Sequence, residues 1–88
     1  MVLSKRKIGD FVRIKSHEWA DNLTWDDRAS IPFGFNSDME EFCGRQAKIV
    51  NLWRVDDYLT GYSIDIDGCT WSWNEYMFEE GPYIYGIE

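Results

Sequence analysis

The stretch from Tyr58 to Asp67 alternates between apolar and polar side chains more regularly than any other part of the chain. A period of two places alternate side chains on opposite faces of a β-strand, so this stretch predicts a half-buried strand. Asp67-Gly68 follows directly and is a strong signal for a tight hairpin turn. We therefore expect the chain to return as another strand, from Cys69 to Trp73.

The rest of the chain contains shorter patterns of the same kind. Further strands are predicted over residues 10–15, 46–55 and 83–85. A Ser37-x-x-Glu40 capping box predicts a short helix near residues 38–43, and residues 74–78 resemble a single helical turn. Together these patterns predict an all-β domain, a small five-stranded barrel with a long loop (residues 16–36) after its first strand.

The long loop has an unusual composition for a segment without a sustained period. Loops of about 20 residues are uncommon in compact domains and are usually functional or disordered. This one contains four large aromatic residues, Trp19, Trp25, Phe33 and Phe35, which argue against disorder. We expect it to pack against the barrel and to expose one or two of its rings.

Aromatic residues are abundant in the whole chain, which has five tryptophans, five tyrosines and five phenylalanines among 88 residues. Each ring buries ~150–250 Å², so a single domain of this length needs neither a disulfide nor a metal for its core. Most rings are expected to be internal, but tryptophan and tyrosine are also enriched at interface hot spots. The candidate contact residues are those four loop aromatics, followed by Trp53 and Tyr58.

Charge is distributed unevenly along the sequence. Residues 1–15 contain five lysines or arginines and one aspartate, whereas residues 16–88 contain fifteen acidic residues and four basic ones. An acidic body disfavours direct binding to nucleic acid or to an anionic membrane, so the expected partner is a neutral or basic protein. The acidic residues that we expect at the contact surface are Asp26, Asp27, Asp56 and Asp57.

The same acidity has two alternative interpretations. It could imitate a phosphate backbone and block a basic nucleic-acid-binding enzyme, as phage or mobile-element inhibitors of the anti-CRISPR or anti-restriction type do. It could also serve only to keep the protein soluble. Binding through aromatic pockets should survive high salt, whereas binding through charge mimicry should weaken.

Residues that usually carry catalysis are few. His17 is the only histidine, and Cys43 and Cys69 lack the CxxC spacing of metal or redox sites. Asp65 and Asp67 alternate on one strand, where acids normally face solvent, and no EF-hand spacing is present. We therefore expect no catalytic residue, no metal and no cofactor. Two lone thiols without a signal peptide indicate a cytoplasmic protein.

Four segments carry a resemblance to known proteins: Ile8–Ile14, Cys43–Ile49, Tyr62–Asp67 and Trp71–Met77. Their pattern resembles the Src-homology-3-like (SH3-like) barrels of small bacterial and phage proteins, with a looser similarity to the mind-bomb/HERC-type domains of ubiquitin ligases. The resemblance implies the barrel fold and peptide binding, but no catalytic residue.

The sequence thus predicts one domain over residues 1–88, with residues 1–7 as a flexible basic N-terminus. Its expected function is non-enzymatic protein binding through the aromatic-rich loop and the adjoining strands. An exposed strand edge could pair two copies, so we expect a monomer or a weak homodimer.

Overall fold

A three-stranded antiparallel sheet lies at the centre of the structure, a computed structural model that describes residues 6–57 and 59–79. In these two ranges the strands are β1 (Phe11–Arg13), β2 (Gln46–Asp56) and β3 (Leu59–Ile64), arranged in that order. The same ranges contain two α-helices, α1 (His17–Asp21) and α2 (Trp25–Ser30), and two 3-10 helices, Ser37–Phe42 and Glu75–Met77. The described residues therefore form a small α+β fold.

The register of the sheet follows the alternation of its side chains. Val12 pairs with Ala47, and Ile49 pairs with Ile64. All four side chains are buried, which defines the inner face of the sheet. The pairing of β2 with β3 shifts after Ile49 and again after Arg54. Such bulges bend a strand and increase its twist.

The predicted all-β, five-stranded SH3-like barrel is wrong, because the described residues form an open three-stranded sheet with helices. Where a further strand was predicted, Trp73 makes only an isolated bridge to Tyr62. The ladder stops there because Asn74 begins the second 3-10 helix, its side chain accepting a hydrogen bond from the Tyr76 backbone N–H at 2.8 Å. The last predicted strand, residues 83–85, lies outside the described residues.

The Asp-Gly signal produces a tight turn even though no full strand follows it in the described residues. Gly68 and Cys69 both have positive φ, +64° and +63°. The Asp67 carboxylate accepts hydrogen bonds from the backbone N–H groups of Cys69 and Trp71 and from the Trp73 indole, at 2.9–3.0 Å. The place of Asp67 in the alternation had predicted that its side chain points into solvent. Its carboxylate instead organises the turn.

Residues 16–36 do not form the long loop that was predicted, because they contain both α-helices. The Ser16 hydroxyl begins α1 by accepting a hydrogen bond from the Trp19 backbone N–H at 3.2 Å. Thr24 and Asp27 form a reciprocal capping box at the start of α2, with both hydrogen bonds at 3.0 Å. These caps satisfy N–H groups that a short helix cannot satisfy by itself.

The first 3-10 helix occupies the position of the helix predicted near residues 38–43. Its N-cap is Asn36, which accepts a hydrogen bond from the Met39 backbone N–H at 3.1 Å, and not the serine of the predicted capping box. Glu40, the acid of that predicted box, instead pairs with Arg28 of α2 at 2.7 Å. The Arg28 guanidinium also donates a hydrogen bond to the Ala20 carbonyl at 3.0 Å. One arginine thus joins α1, α2 and the 3-10 helix.

Lys15 is a buried cation in the core. Lys15 follows β1 and is 1% exposed; its ammonium group donates a hydrogen bond to the Tyr76 carbonyl at 2.7 Å. The same Nζ atom lies 5.3 Å from the centre of a Trp19 ring. Burial lowers the pKa of Lys15 from 10.5 to about 8, and the nearby Glu75 carboxylate opposes that shift.

The predicted flexible N-terminus is described only in part. Residues 1–5 lie outside the described residues, whereas the Arg6 guanidinium pairs with the Glu75 carboxylate at 2.9 Å. The Tyr62 hydroxyl donates a hydrogen bond to the same carboxylate at 2.6 Å. Arg6 is therefore connected to β3 and to the second 3-10 helix.

Candidate binding groove

A groove of about 530 Å³ lies between α2 and the segment that leads into the first 3-10 helix. We call it the Trp25 groove. Its apolar lining comes from Trp25, Ala29, Phe33 and Phe35. Three of these residues, Trp25, Ala29 and Phe33, are exposed, whereas Phe35 is buried. The groove is therefore open to solvent on one side and has the protein core directly beneath its floor.

Trp25 is the most exposed large apolar side chain that the structure describes, at 85%. It is the first residue of α2, directly after the Thr24 cap. Asp27, two residues later, is 8% exposed and belongs to the capping box. Because successive helical residues are ~100° apart, a cap that turns Asp27 inward turns Trp25 outward.

Phe33 forms the facing wall on a strained piece of backbone. Its φ is +71°, a conformation that costs a residue with a side chain about 1 kcal/mol or more. The neighbouring Gly34 also has positive φ, and its backbone N–H donates to the Ile31 carbonyl at 2.7 Å. This turn leaves the Phe33 ring 44% exposed.

Trp53 supports Phe33 from the sheet without lining the groove. The two rings lie 6.1 Å apart between their centres. The Trp53 indole in turn packs closely against Gly61 of β3, where a Cβ atom would lie less than 3.0 Å from three atoms of the indole. The candidate contact residue Trp53 is thus half-buried and positions Phe33.

Trp19 and Phe35, two of the four aromatic contact candidates in the 16–36 segment, belong to the core. Trp19 is 4% exposed and Phe35 is 2% exposed. Their rings pack edge to face, with centres 5.1 Å apart, and the Arg28 guanidinium lies 5.5 Å from the Phe35 ring centre. The Trp19 indole N–H has no hydrogen-bond partner within the described part of the chain. These two rings therefore support the groove from below, and Trp19 does not reach the surface.

The four candidate aspartates occupy three different environments. Asp26 is exposed on α2 beside Trp25, whereas Asp27 is buried in the capping box. Asp56 and Asp57 lie at the end of β2, where Asp57 pairs with Arg54 at 3.3 Å, and neither lines the Trp25 groove. The structure does not bring the four together. Tyr58, the last aromatic candidate, lies outside the described residues.

A second cavity, of about 420 Å³, adjoins the Trp25 groove. The two share Ser37 and Asp38 as lining residues. Beyond these, the second cavity is lined by Glu41, Trp71 and Phe42, among others. The two sides of this cavity come from segments some thirty residues apart in the sequence, and no local pattern indicates that they meet.

Residues that could support catalysis or bind a metal are dispersed. No group of three or more His, Cys, Asp or Glu side chains with metal-binding geometry occurs among residues 6–57 and 59–79. Cys43 and Cys69 are both free thiols. Burial, aided by the Glu40 carboxylate, raises the pKa of Cys43 from 9.0 to about 11, so this thiol is protonated at neutral pH. A protonated, buried thiol is a poor nucleophile.

Comparison with protein-family models, with curated proteins and with solved structures found no match to this chain. The resemblance to the SH3-like proteins therefore stays a prediction. The barrel fold that it implies is wrong, because the described residues form an open three-stranded sheet with helices. In the described residues, no helix has the length and apolar character needed to cross a membrane.

Proposed function

We propose that this chain is a non-enzymatic protein-binding domain that receives an apolar side chain of its partner in the Trp25 groove. The observation that carries the proposal is the 85% exposure of Trp25. Removing apolar surface from water is favourable by about 25 cal/mol per Å², so covering this indole would stabilise a complex. Tryptophan is also among the residues most enriched at interface hot spots.

Both exposed aromatic residues of the groove are attached to backbone that is already ordered. Trp25 lies on a helix begun by a capping box, and Phe33 lies on a tight turn with its ring against Trp53. Binding therefore orders few new groups. Because ordering side chains and loops on association opposes binding, such preorganisation favours affinity.

The proposal is tested by comparing groove variants with a matched surface variant. Trp25→Ala and Phe33→Ala each remove an exposed ring from the groove, and Val55→Ser changes another exposed apolar side chain, 49% exposed, outside the groove lining. We expect the two groove variants to reduce capture of the host partner about tenfold or more, and Val55→Ser to leave it unchanged. Equal thermal unfolding of all variants would show that folding is not the cause.

A salt series separates this proposal from charge mimicry. The part of capture that comes from apolar burial in the Trp25 groove should persist at high salt, because salt screens charges and not apolar contacts. Capture that disappears with salt, is competed by DNA and is unaffected by Trp25→Ala would contradict the proposal. That outcome would instead support the alternative of an acidic inhibitor that occupies the nucleic-acid site of its target.

A further inference from the structure

We infer that the partner segment carries a lysine or arginine close to its apolar anchor, and that this cation binds in the second cavity beside Asp38 and Glu41. The inference rests on the proposed function, since it assumes that the anchor occupies the Trp25 groove. It adds the chemical class of the partner, a basic and apolar peptide segment.

The first argument is the continuity of the two depressions. Ser37 and Asp38, at the start of the first 3-10 helix, line both the Trp25 groove and the second cavity. One extended segment can therefore contact both without leaving the surface. An extended chain advances about 3.3 Å per residue, so two side chains a few residues apart can occupy neighbouring depressions.

The second argument is the charge of this surface. Arg28, the cation that lines the groove, is already paired with Glu40 at 2.7 Å and stacked on Phe35. Asp38 and Glu41 are exposed, and neither forms a salt bridge with another described residue. Among the residues that line the two depressions, the charges without a salt bridge are therefore negative, and a cation in the partner segment is complementary to them.

The third argument is that the cavity has aromatic walls. Trp71 is half-buried, and its backbone N–H is held by the Asp67 carboxylate. Phe42 already has the Arg45 guanidinium 5.5 Å from its ring centre. Aromatic faces attract guanidinium and ammonium groups and pack against their aliphatic stems. Glutamine at the same peptide position would pack there but would lack the charge.

A second copy of the chain is the competing occupant. Phe11 is 64% exposed on β1, with Arg13 on the same strand and the Lys48 ammonium 6.0 Å from its ring. This face also combines an apolar side chain with cations. The experiment must therefore separate a peptide from self-association.

The experiment uses Gly-Ser peptides that contain one leucine, with arginine, glutamine or glutamate placed one to four residues after it. Binding is followed by the NMR signals of the indole N–H groups, with those of Trp25 and Trp71 identified from Trp→Phe variants. We expect the best arginine peptide to shift both signals and to bind about two- to fivefold more tightly than its glutamine counterpart, because ion pairs with exposed carboxylates contribute up to about 1 kcal/mol. The glutamate peptide should bind more weakly still.

The matched protein variants are Asp38→Asn combined with Glu41→Gln, against Asp57→Asn, which removes an acid outside both depressions. The double variant should abolish the preference for arginine over glutamine, and Asp57→Asn should retain it. Equal binding of the arginine and glutamine peptides to the unmodified protein would overturn the inference. The proposed function would survive that result if Trp25→Ala still impaired partner capture.

Two further outcomes would also overturn the inference. One is that no leucine peptide shifts the Trp25 signal. The other is that the Trp25 signal shifts when the protein alone is concentrated, and that Phe11→Ser abolishes this shift, which would make a second copy the occupant of the groove.

Discussion

α1 and α2 are neighbouring short helices with similar caps, yet one buries its tryptophan and the other exposes it. Trp19 is 4% exposed and Trp25 is 85% exposed. The difference follows from their positions relative to the caps. Trp19 is the third residue of α1, and the third residue of α2, Asp27, is also buried. The first residues, His17 and Trp25, are both exposed. Position after the cap therefore accounts for burial better than residue type does.

This comparison separates a structural tryptophan from a surface one. Trp19 contacts Phe35 and the buried Lys15, so the core depends on it. Trp25 is not part of the core, and its exposure is a consequence of the Thr24–Asp27 box. Substitutions of Trp19 should therefore lower folding stability, whereas substitutions of Trp25 should weaken partner binding.

The largest effect is expected from Trp19→Ala. Removing a buried aromatic side chain leaves a cavity and typically costs about 3–5 kcal/mol of folding free energy. We expect that loss in urea unfolding, and a smaller one for Trp19→Phe, which keeps a ring and removes the unpaired indole N–H. A Trp19→Ala variant with unchanged stability would contradict the assignment of this ring to the core.

The second-largest effect is expected from the buried Lys15, and it is a dependence of folding stability on pH. The pKa of Lys15 is about 8 in the folded chain and 10.5 in its ordinary state, so between these values the unfolded chain binds more protons. Stability should therefore rise from pH 8 to pH 10.5, by up to about 3 kcal/mol. Lys15→Met should remove this rise from urea unfolding measured across the interval.

Cys43 titrates in the opposite direction and must be removed from that measurement. Its pKa is raised from 9.0 to about 11 in the folded chain, so the unfolded chain loses its proton first. This thiol should therefore reduce stability between pH 9 and pH 11. The Lys15 contribution is best measured in a Cys43→Ala background, where a flat or falling profile would contradict the burial of a chargeable lysine.

Local patterns predicted the parts of the fold that local chemistry decides. The alternation before Asp67 and the Asp-Gly pair correspond to β3 and its turn, and residues 74–78 contain the predicted helical turn. The barrel prediction failed because closure depends on distant pairings, and Asn74 ends the ladder at Trp73. Whether a strand continues cannot be judged from alternation alone.

The helices of residues 16–36 were missed although their signals are present. Ser16 is a favourable N-cap residue and Thr24-x-x-Asp27 is a capping-box pattern, but each helix is too short for a periodic apolar face to develop. The aromatic content did indicate where a surface site lies. It did not separate Trp25 from Trp19, which requires the positions of the caps.

The third effect tests the cap itself. Thr24→Ala removes one half of the capping box, and the loss of an N-cap typically costs about 1 kcal/mol. We expect this loss in thermal unfolding, together with weaker partner binding, because the first turn that orients Trp25 becomes less ordered. Thr24→Ser, which keeps the hydroxyl, should retain both the thermal stability and the partner binding of the unmodified protein. Binding unaffected by Thr24→Ala would mean that Trp25 does not need the capped helix.

The smallest effect on folding, and the most informative one, is expected from Trp25→Ala. A side chain that is 85% exposed loses few contacts on truncation, so stability should change by no more than about 0.5 kcal/mol. Partner binding should nevertheless fall strongly, whereas Val55→Ser should leave partner binding unchanged. If Trp25→Ala destabilised the fold as Trp19→Ala does, the indole would belong to the core and the distinction between the two helices would be lost. If Trp25→Ala changes binding alone, the Trp25 indole acts at the surface, because the folded state does not depend on this side chain.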